Sequence, residues 1–270
     1  TGAGCAPVRR PGPPGPVMNF DNTWDAVPAI VTGSGIGPSV TGVGVPTDII
    51  TVLYADPTLN LSQFQLDAIA ADGSSMTVNA GTNIGGPDGL RPGDIIMFSN
   101  AQGNAMQVVT AVNVGARTAT FAPGDAFGLN DRLAAQGTII NLESGPGVYP
   151  PTTATRITMV SYYIDDQTDP QVPRLVRQIN LGAQLAMGLG VENLQFTYDL
   201  VDGDTNPTDV TSLPHTLPDA TVLSGSQARK VNLHVGVRSE DRSTLTGDYL
   251  RHHAATVVSL RGLAYRDTYK

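Results

Sequence analysis

Glycine and proline recur along the whole chain, and this feature most limits what the chain can fold into. There are 30 Gly and 20 Pro among 270 residues. Each Gly inside a helix costs about 1 kcal/mol relative to Ala, and each Pro costs about 3 kcal/mol. The apolar runs are short, and Gly, Pro, Asn or Asp bounds them. This pattern predicts a mainly β protein made of many short strands joined by turns.

The stretch "AIVTGSGIGPSV", from Ala29 to Val40, has the glycine spacing of a dinucleotide-binding loop. Such a loop needs a helix to begin at its glycines, so that the helix N-terminus faces a pyrophosphate. Two prolines and two glycines fall where that helix would run, and Pro38 occupies the place of the third glycine. We therefore interpret the stretch as a glycine-rich loop between two strands.

The charge and the cysteine content exclude several classes of function. The net charge of −8 disfavours a partner that is a nucleic acid or an anionic membrane surface, so we expect no nucleic acid. The single cysteine, Cys5, excludes an intramolecular disulfide and a cysteine-rich zinc site, and we expect a free or intermolecularly paired thiol. No apolar run reaches the ~18 residues that a membrane-spanning helix needs.

Composition and turn residues divide the chain into three predicted parts. Residues 1–28 are predicted to be an extended Pro/Gly-rich segment. Residues 61–143 contain several short apolar segments, including the hairpin "LRPGDIIMFSNAQGNAMQVVTAV", and we expect them to form an inserted small β-barrel. Residues 29–60 and 144–270 are then expected to form one antiparallel sheet domain.

The last third of the chain carries the clearest strand patterns. In "KVNLHVGVRS", Val231, Leu233, Val235 and Val237 alternate with polar residues, which is typical of a strand with one buried face. In "VENLQFTYDL", apolar residues also alternate. Together with "ATRITMVSYYID", "PRLVRQIN" and "AATVVSLRGLAY", these segments predict five strands of a single antiparallel sheet.

One loop has the partial pattern of a calcium site. In "DLVDGDTNPTD", Asp202, Asp204 and Asn206 have the alternating spacing that opens a calcium loop, and Asp209 lies nearby. No Glu closes the twelfth position, and the glycine is displaced from its place in an EF-hand. Calcium at these four residues is one hypothesis, and a solvated turn rich in Asp and Asn is the other.

Catalytic residues are not predicted. Asp165, Asp166 and Asp169 could serve acid–base chemistry only in a cleft that shifts a pKa, and they lie in a turn between two strands. The four histidines lack metal-ligand spacing, and the chain has no nucleophile elbow. We therefore expect a protein that is not an enzyme and that has no cofactor apart from the hypothetical calcium ion.

Several segments, in this order, resemble the minor pilins of the PilW type, which are related to the J-type pseudopilins of type II secretion. The family's "ID…P.L.R" strand pair is similar to "YYIDDQTDPQVPRLVRQIN". Its "GVE.LQ..Y..D.DG" segment is similar to "GVENLQFTYDLVDGDTN", and its "V…L.VRS" strand to "ARKVNLHVGVRSEDR". The closing "TV.LR" strand is similar to "AATVVSLRGLAYRD", and the hairpin from Gly93 to Val108 also matches.

The resemblance implies a mainly β (α+β pilin-like) fold and a structural role in a type IV pilus or a similar extracellular filament. The partners would be other pilin subunits, either copies of this chain or a helix-bearing chain, and a tip adhesin. The family's apolar N-terminal helix is not found in this sequence, so we expect membrane contact only through a helix outside this chain. The implied location is the bacterial cell surface, reached through the inner membrane and periplasm. The alternative is a surface adhesion or carbohydrate-binding module, with calcium as its cofactor.

Overall fold

The computed structural model describes residues 8–20, 27–40, 44–59, 61–130 and 138–260. Of these residues, 43% lie in strands and 4% in helices, which confirms the predicted mainly β class. No helix in the described ranges is long and apolar enough to cross a membrane. Cys5 lies outside the described residues, as does the end of the predicted last strand beyond residue 260.

The elements follow one another in short steps, as the glycine and proline content predicts. The strands are β1 (Ile30–Val31), β2 (Ile50–Ala55), β3 (Ala68–Ile69), β4 (Ser75–Thr77), β5 (Ile95–Asn100), β6 (Gly103–Val108), β7 (Ala111–Asn113), β8 (Thr118–Thr120), β9 (Thr153–Asp165), β10 (Arg174–Ile179), β11 (Gln184–Leu189), β12 (Val191–Leu200), β13 (His215–Thr216), β14 (Val222–Leu223), β15 (Ala228–Arg242) and β16 (Tyr249–Ser259). Short 3-10 helices lie at Leu61–Gln63, Ile139–Leu142 and Gly225–Gln227.

Backbone proximity divides the chain into two compact units. The first comprises the described residues within Thr1–Arg10, Val17–Val27 and Leu53–Met159, and the second those within Pro11–Pro16, Pro28–Val52 and Val160–Lys270. The strands β2 and β9 each contribute residues to both units. The predicted division at residues 61 and 143 stays a prediction.

The first unit contains an open sheet rather than the predicted small barrel. Its strands follow the order β3-β4-β8-β7, so β3 and β7 are the two ends of this sheet in the described part of the chain. The predicted hairpin is present as β5 and β6, but β5 pairs on its other side with β9, where Ile95 lies opposite Ile157. The prediction of a barrel in 61–143 was therefore wrong, because the pairing of β5 with β9 leaves the barrel unclosed.

The core of the first unit lies beneath these strands and holds two aromatic rings in contact. Phe98 and Phe121 are fully buried, with ring centroids 5.5 Å apart and ring planes 86° apart. Aliphatic side chains such as Met76, Ile96 and Ile139 surround them. Burying one such side chain stabilises the fold by about 2 kcal/mol. Burial of these core side chains therefore stabilises the short strands more than their length does.

The five strands that the sequence predicted in one sheet lie in two separate antiparallel sheets, and a third, two-stranded sheet of β13 and β14 also belongs to the second unit. One sheet has the order β1-β2-β9-β10-β11 and the other the order β12-β15-β16. The predicted pairing of β9 with β10 is confirmed, with Tyr163 opposite Val176. The prediction of a single sheet was wrong, because the chain leaves the first sheet at Gly190 and enters the second. Gly190 has a φ of +68°, which is accessible to glycine at little cost.

The face of each strand was predicted correctly where the alternation is regular. Leu194, Phe196 and Tyr198 of β12 all belong to the core of the second unit, and Val231 of β15 is buried. The next alternating residues of β15 are half-buried and pack against the same core. They are Leu233, Val235 and Val237.

Hydrogen bonds close the N-terminal segment and the glycine-rich loop. Within the N-terminal segment, Arg10 donates its N–H to the carbonyl of Met18, so the chain turns back on itself there. The glycine-rich stretch lies between the antiparallel strands β1 and β2, and Gly35 donates its N–H to Oδ1 of Asp48 at 2.7 Å. No helix occurs in the described part of that stretch, which confirms its interpretation as a loop.

Candidate functional site

The hypothetical calcium loop directly follows β12 and is organised around the carboxylate of Asp202. Oδ1 of Asp202 accepts the N–H groups of Asp204 and Asn206, both at 2.9 Å, and Oδ2 accepts the hydroxyl of Thr205 at 2.5 Å. These hydrogen bonds lower the pKa of Asp202 to about 2. The carboxylate therefore closes its own turn, as an exposed Asp at a turn commonly does.

The fourth residue of the predicted calcium set faces in another direction. Oδ1 of Asp209 accepts hydrogen bonds from the hydroxyl of Thr197 at 3.1 Å and from the side-chain amide of Asn232 at 3.3 Å. Asp209 thus contacts β12 and β15 rather than Asp202. The described residues contain no group of three or more His, Cys, Asp or Glu side chains that could hold a metal ion. Calcium at this loop stays a prediction.

The turn between β9 and β10 is built on one buried carboxylate. Asp165 is fully buried, and its Oδ2 accepts hydrogen bonds from Nε and a terminal nitrogen of Arg174 at 3.0 and 2.8 Å. Thr168 and Gln167 donate to the same carboxylate. Burial raises the pKa of Asp165, but the hydrogen bonds from Thr168 and Arg174 outweigh it, so the pKa lies below its ordinary value. A turn between two strands favours solvated carboxylates, and the full burial of Asp165 departs from that expectation.

A second buried charge, Arg156 in β9, connects three loops of the first unit. Its guanidinium lies 3.0 Å from Oδ2 of Asp56 and 3.6 Å from Oδ2 of Asp94, and it donates to the carbonyls of Asp88 and Gly89 and to the hydroxyl of Thr58. Burial raises the pKa of Asp94 above its ordinary value. Two of these contacts are to backbone carbonyls and three to side chains of the same loops, so we interpret Arg156 as a residue that shapes the fold.

The strand β16 is exposed from Leu250 to Ser259, and its first residue, Tyr249, is half-buried. It is the last strand of the order β12-β15-β16, and its only described strand partner is β15. Three of its apolar side chains are largely open to solvent, namely Leu250 (68%), Val257 (58%) and Val258 (49%). The sequence predicted this strand but not its exposure, because alternation cannot show which strand ends a sheet.

The backbone of β16 presents hydrogen-bonding groups to this open edge. Leu260 donates its N–H to the carbonyl of Arg229 in the continuation of β15. In an antiparallel ladder every second residue directs its backbone groups to the same neighbour. The odd-numbered residues of β16 therefore direct their N–H and C=O groups away from β15. In the regular part of the ladder they are Arg251, His253, Ala255, Val257 and Ser259.

A basic corner lies at one end of the β15–β16 pair, and we define it as Arg238, Arg242, Tyr249 and Arg251. Arg238 lies directly opposite Arg251, and Arg242 lies opposite Tyr249, so all four residues share one face of the two strands. The guanidinium carbons of Arg238, Arg242 and Arg251 are 4.2, 4.9 and 6.0 Å from the centre of the tyrosine ring. Like charges directly opposite each other destabilise a sheet.

One buried carboxylate compensates part of this charge. Glu192, whose side chain is 2% exposed, accepts a hydrogen bond from Nε of Arg251 at 2.7 Å and lies 3.7 Å from Arg238. Arg238 also donates to the carbonyl of Gln171, and Arg242 to that of Gly247. Among these four side chains three arginines face one glutamate, and the flanking residues Glu240, Asp241 and Asp248 add three exposed carboxylates nearby.

The sequence did not predict a site at the histidines, and the structure places three of them on the surface. His234, His252 and His253 are exposed, and the last two are consecutive in β16, so their side chains lie on opposite faces of the strand.

Comparisons with protein-family models, with curated proteins and with solved structures found no match to this chain. The open edge of β16 and the basic corner are therefore the features of the described surface with the most distinctive chemistry.

Proposed function

We propose that this chain is a non-catalytic structural subunit of a type IV pilus or pilus-like extracellular filament, of the minor pilin type. The observation that carries the proposal is the exposed edge strand β16, which offers unpaired backbone groups and apolar side chains for contact with another subunit. The location that follows is the bacterial cell surface, and the partners are other pilin subunits and a tip adhesin.

Two further observations support this proposal. Most segments that resemble the PilW type correspond to β9, β10, β12, β15 and β16, and the hairpin from Gly93 to Val108 corresponds to β5 and β6. The buried charges Asp165 and Arg156 bind backbone and neighbouring side chains, as expected for a rigid scaffold. A scaffold of this kind contributes to assembly and surface contact through its exposed edge rather than through a reacting centre.

The experiment is a deletion of the gene in the organism that carries it, followed by electron microscopy of surface filaments. We expect filaments to be lost or reduced in number and to return when the gene is supplied in trans. The chain itself should be detected by mass spectrometry in filaments sheared from complemented cells. Normal filament numbers in the deletion strain, together with sheared filaments that lack the chain, would contradict the proposed function.

A further inference from the structure

We propose that the open edge of β16 and the basic corner together bind an extended acidic segment of a partner protein, which adds to the sheet as an antiparallel strand. This inference names the chemistry of the partner at the surface discussed above, and its biological meaning rests on the proposed function. The binding itself is a property of the isolated chain and is tested separately.

The open N–H and C=O groups of β16 favour a peptide as the ligand of this edge. Four consecutive odd-numbered residues, from Arg251 to Val257, direct their N–H and C=O groups to the open edge. These residues repeat about every 6.8 Å along an antiparallel strand. An extended peptide has donors and acceptors with the same repeat, so it can pair with each of them. A carbohydrate chain has no such repeat of alternating donors and acceptors.

The side chains beside this edge favour apolar residues in the partner strand. Val257 and Val258 are consecutive and therefore lie on opposite faces of β16, and both are about half exposed or more. Val258 lies opposite Val231 of β15, which belongs to the core of the second unit. An added strand with β-branched residues, such as Val and Thr, on its two faces would cover each valine and extend the core face of the sheet by one strand.

The charge of the basic corner sets the direction and the chemistry of the partner. The strand β16 carries Arg251, His252 and His253 near its beginning and has no carboxylate. The C-terminal part of an antiparallel partner strand would lie beside the beginning of β16. We therefore expect the carboxylates of the partner in its C-terminal part. Antiparallel pairing is also slightly more stable per residue than parallel pairing.

Arg242 and Arg251 are the cations of the corner that a partner can reach, because the side chain of Arg238 is only 6% exposed. Glu192 is shared between Arg238 and Arg251, and one carboxylate cannot neutralise two guanidinium groups. The bulge and turn nearby carry further exposed carboxylates, at Glu240 and Asp241, which form no ion pair with these arginines in the described part of the chain. The remaining surface of an acidic chain repels an acidic peptide, which directs it to the corner.

The test measures binding of a fluorescein-labelled Thr-Val-Thr-Val-Thr-Val-Asp-Asp peptide, with blocked termini, by fluorescence anisotropy. We expect saturable binding by the intact chain that weakens as the salt concentration rises from about 50 to 500 mM, because salt screens exposed charges. A peptide with Asn-Asn in place of Asp-Asp should bind at least about threefold more weakly. Equal binding of the two peptides would overturn the proposal.

Two variants separate the edge from the corner, and a third is the control. Ala255→Pro removes an N–H group that points to the open edge, so the fold keeps its ladder while binding falls about tenfold or more. Arg242→Gln should weaken binding of the acidic peptide about three- to tenfold and leave the Asn-Asn peptide unaffected. Arg229→Gln removes the same charge from an exposed residue at the other end of β15 and should change nothing.

The outcomes distinguish this inference from the proposed function. Unchanged binding in Ala255→Pro, with an unchanged thermal unfolding midpoint, would overturn strand addition. Binding of heparin that depends on Arg242, without peptide binding, would identify a sulfated glycan as the ligand and would also overturn it. In either case the deletion strain still decides whether the chain is needed for filaments.

Discussion

Asp165 and Arg156 show how single buried charges shape this chain. Each has several hydrogen-bond donors or acceptors around it, and each lies in β9. A buried charge that loses its partner is strongly destabilising, by about 3–5 kcal/mol, because desolvation is no longer compensated. Substitution of either residue is therefore expected to lower the stability of the unit in which it lies. For Asp165 the loss of stability should depend on pH.

We predict that Asp165→Asn destabilises the protein at pH 7 by about 2–3 kcal/mol, since Arg174 loses its charged partner. The folded-state pKa of Asp165 is lowered, so its contribution is fully present above the ordinary aspartate pKa of about 3.9 and is lost as the pH falls through the folded-state value. The stability difference between wild type and variant, measured by urea unfolding, should shrink below about pH 4.

The matched control for this variant is Asp169→Asn in the same turn. Asp169 is exposed, and its Oδ1 accepts the N–H of Gln171, a hydrogen bond that an asparagine retains. We expect a change within about 0.5 kcal/mol at every pH. A difference for Asp165→Asn that stays constant from neutral to strongly acidic pH would show that the charge of Asp165 has no role.

We predict that Arg156→Lys destabilises the first unit by about 2 kcal/mol, although the charge is kept. A lysine has one nitrogen and cannot reach Asp56, Asp94 and the carbonyl of Gly89 together, as the planar guanidinium does. Hydrogen exchange of amides in β5 and β6, measured by mass spectrometry, reports the loss in this unit. A protection pattern identical to that of the wild type would contradict the prediction.

Arg117→Lys is the control for the effect of arginine chemistry. Arg117 pairs with Asp67 at 3.0 Å in the same unit, but both side chains are more than a third exposed. Exposed ion pairs contribute about 0–1 kcal/mol, so we expect this variant to be close to the wild type. Sequence alone could not distinguish the two arginines, because the partners of Arg156 are distant in the chain and only folding brings them together.

At the scale of elements, the strands that alternate regularly were predictable and their sheet membership was not. The strands β9, β10, β12 and β15 follow from apolar alternation and turn residues, and the buried faces of β12 and β15 were predicted correctly. The strand β11 was missed, because Gln184–Leu189 is flanked by glycines and is largely exposed. Which strands share a sheet depends on pairing between distant segments, and a local pattern does not contain that information.

The turn between β11 and β12, at Gly190, gives a prediction at the scale of elements. Gly190→Ala should destabilise the protein by about 2 kcal/mol or more, because a Cβ there would overlap the carbonyl oxygen of Arg238 and the φ of +68° disfavours alanine. The control is Gly188→Ala in β11, where the nearest atom to a Cβ would be Cγ2 of Val191 at 3.5 Å. Equal unfolding midpoints for the two variants would contradict this account of the turn at Gly190.

At the scale of the whole molecule, composition predicted the class of the fold and left its function open. The glycine and proline content indicated short strands, and the structure confirms a mainly β protein. The candidate surface was not predictable, because the basic corner forms only when Arg238, Arg242 and Arg251 meet across β15 and β16. The filament role remains our proposal, and it requires that this surface contacts another subunit.

The most direct measurement is site-specific photo-cross-linking in living cells, with benzoyl-phenylalanine at Val257 and, as control, at Val148. Both valines are 58% exposed, but only Val257 lies on the open edge of β16. We expect filaments sheared from cells with the label at Val257 to contain a cross-link between this chain and another pilin subunit, and the control to contain none. Sheared filaments that contain neither the chain nor a cross-link from Val257 would contradict the account.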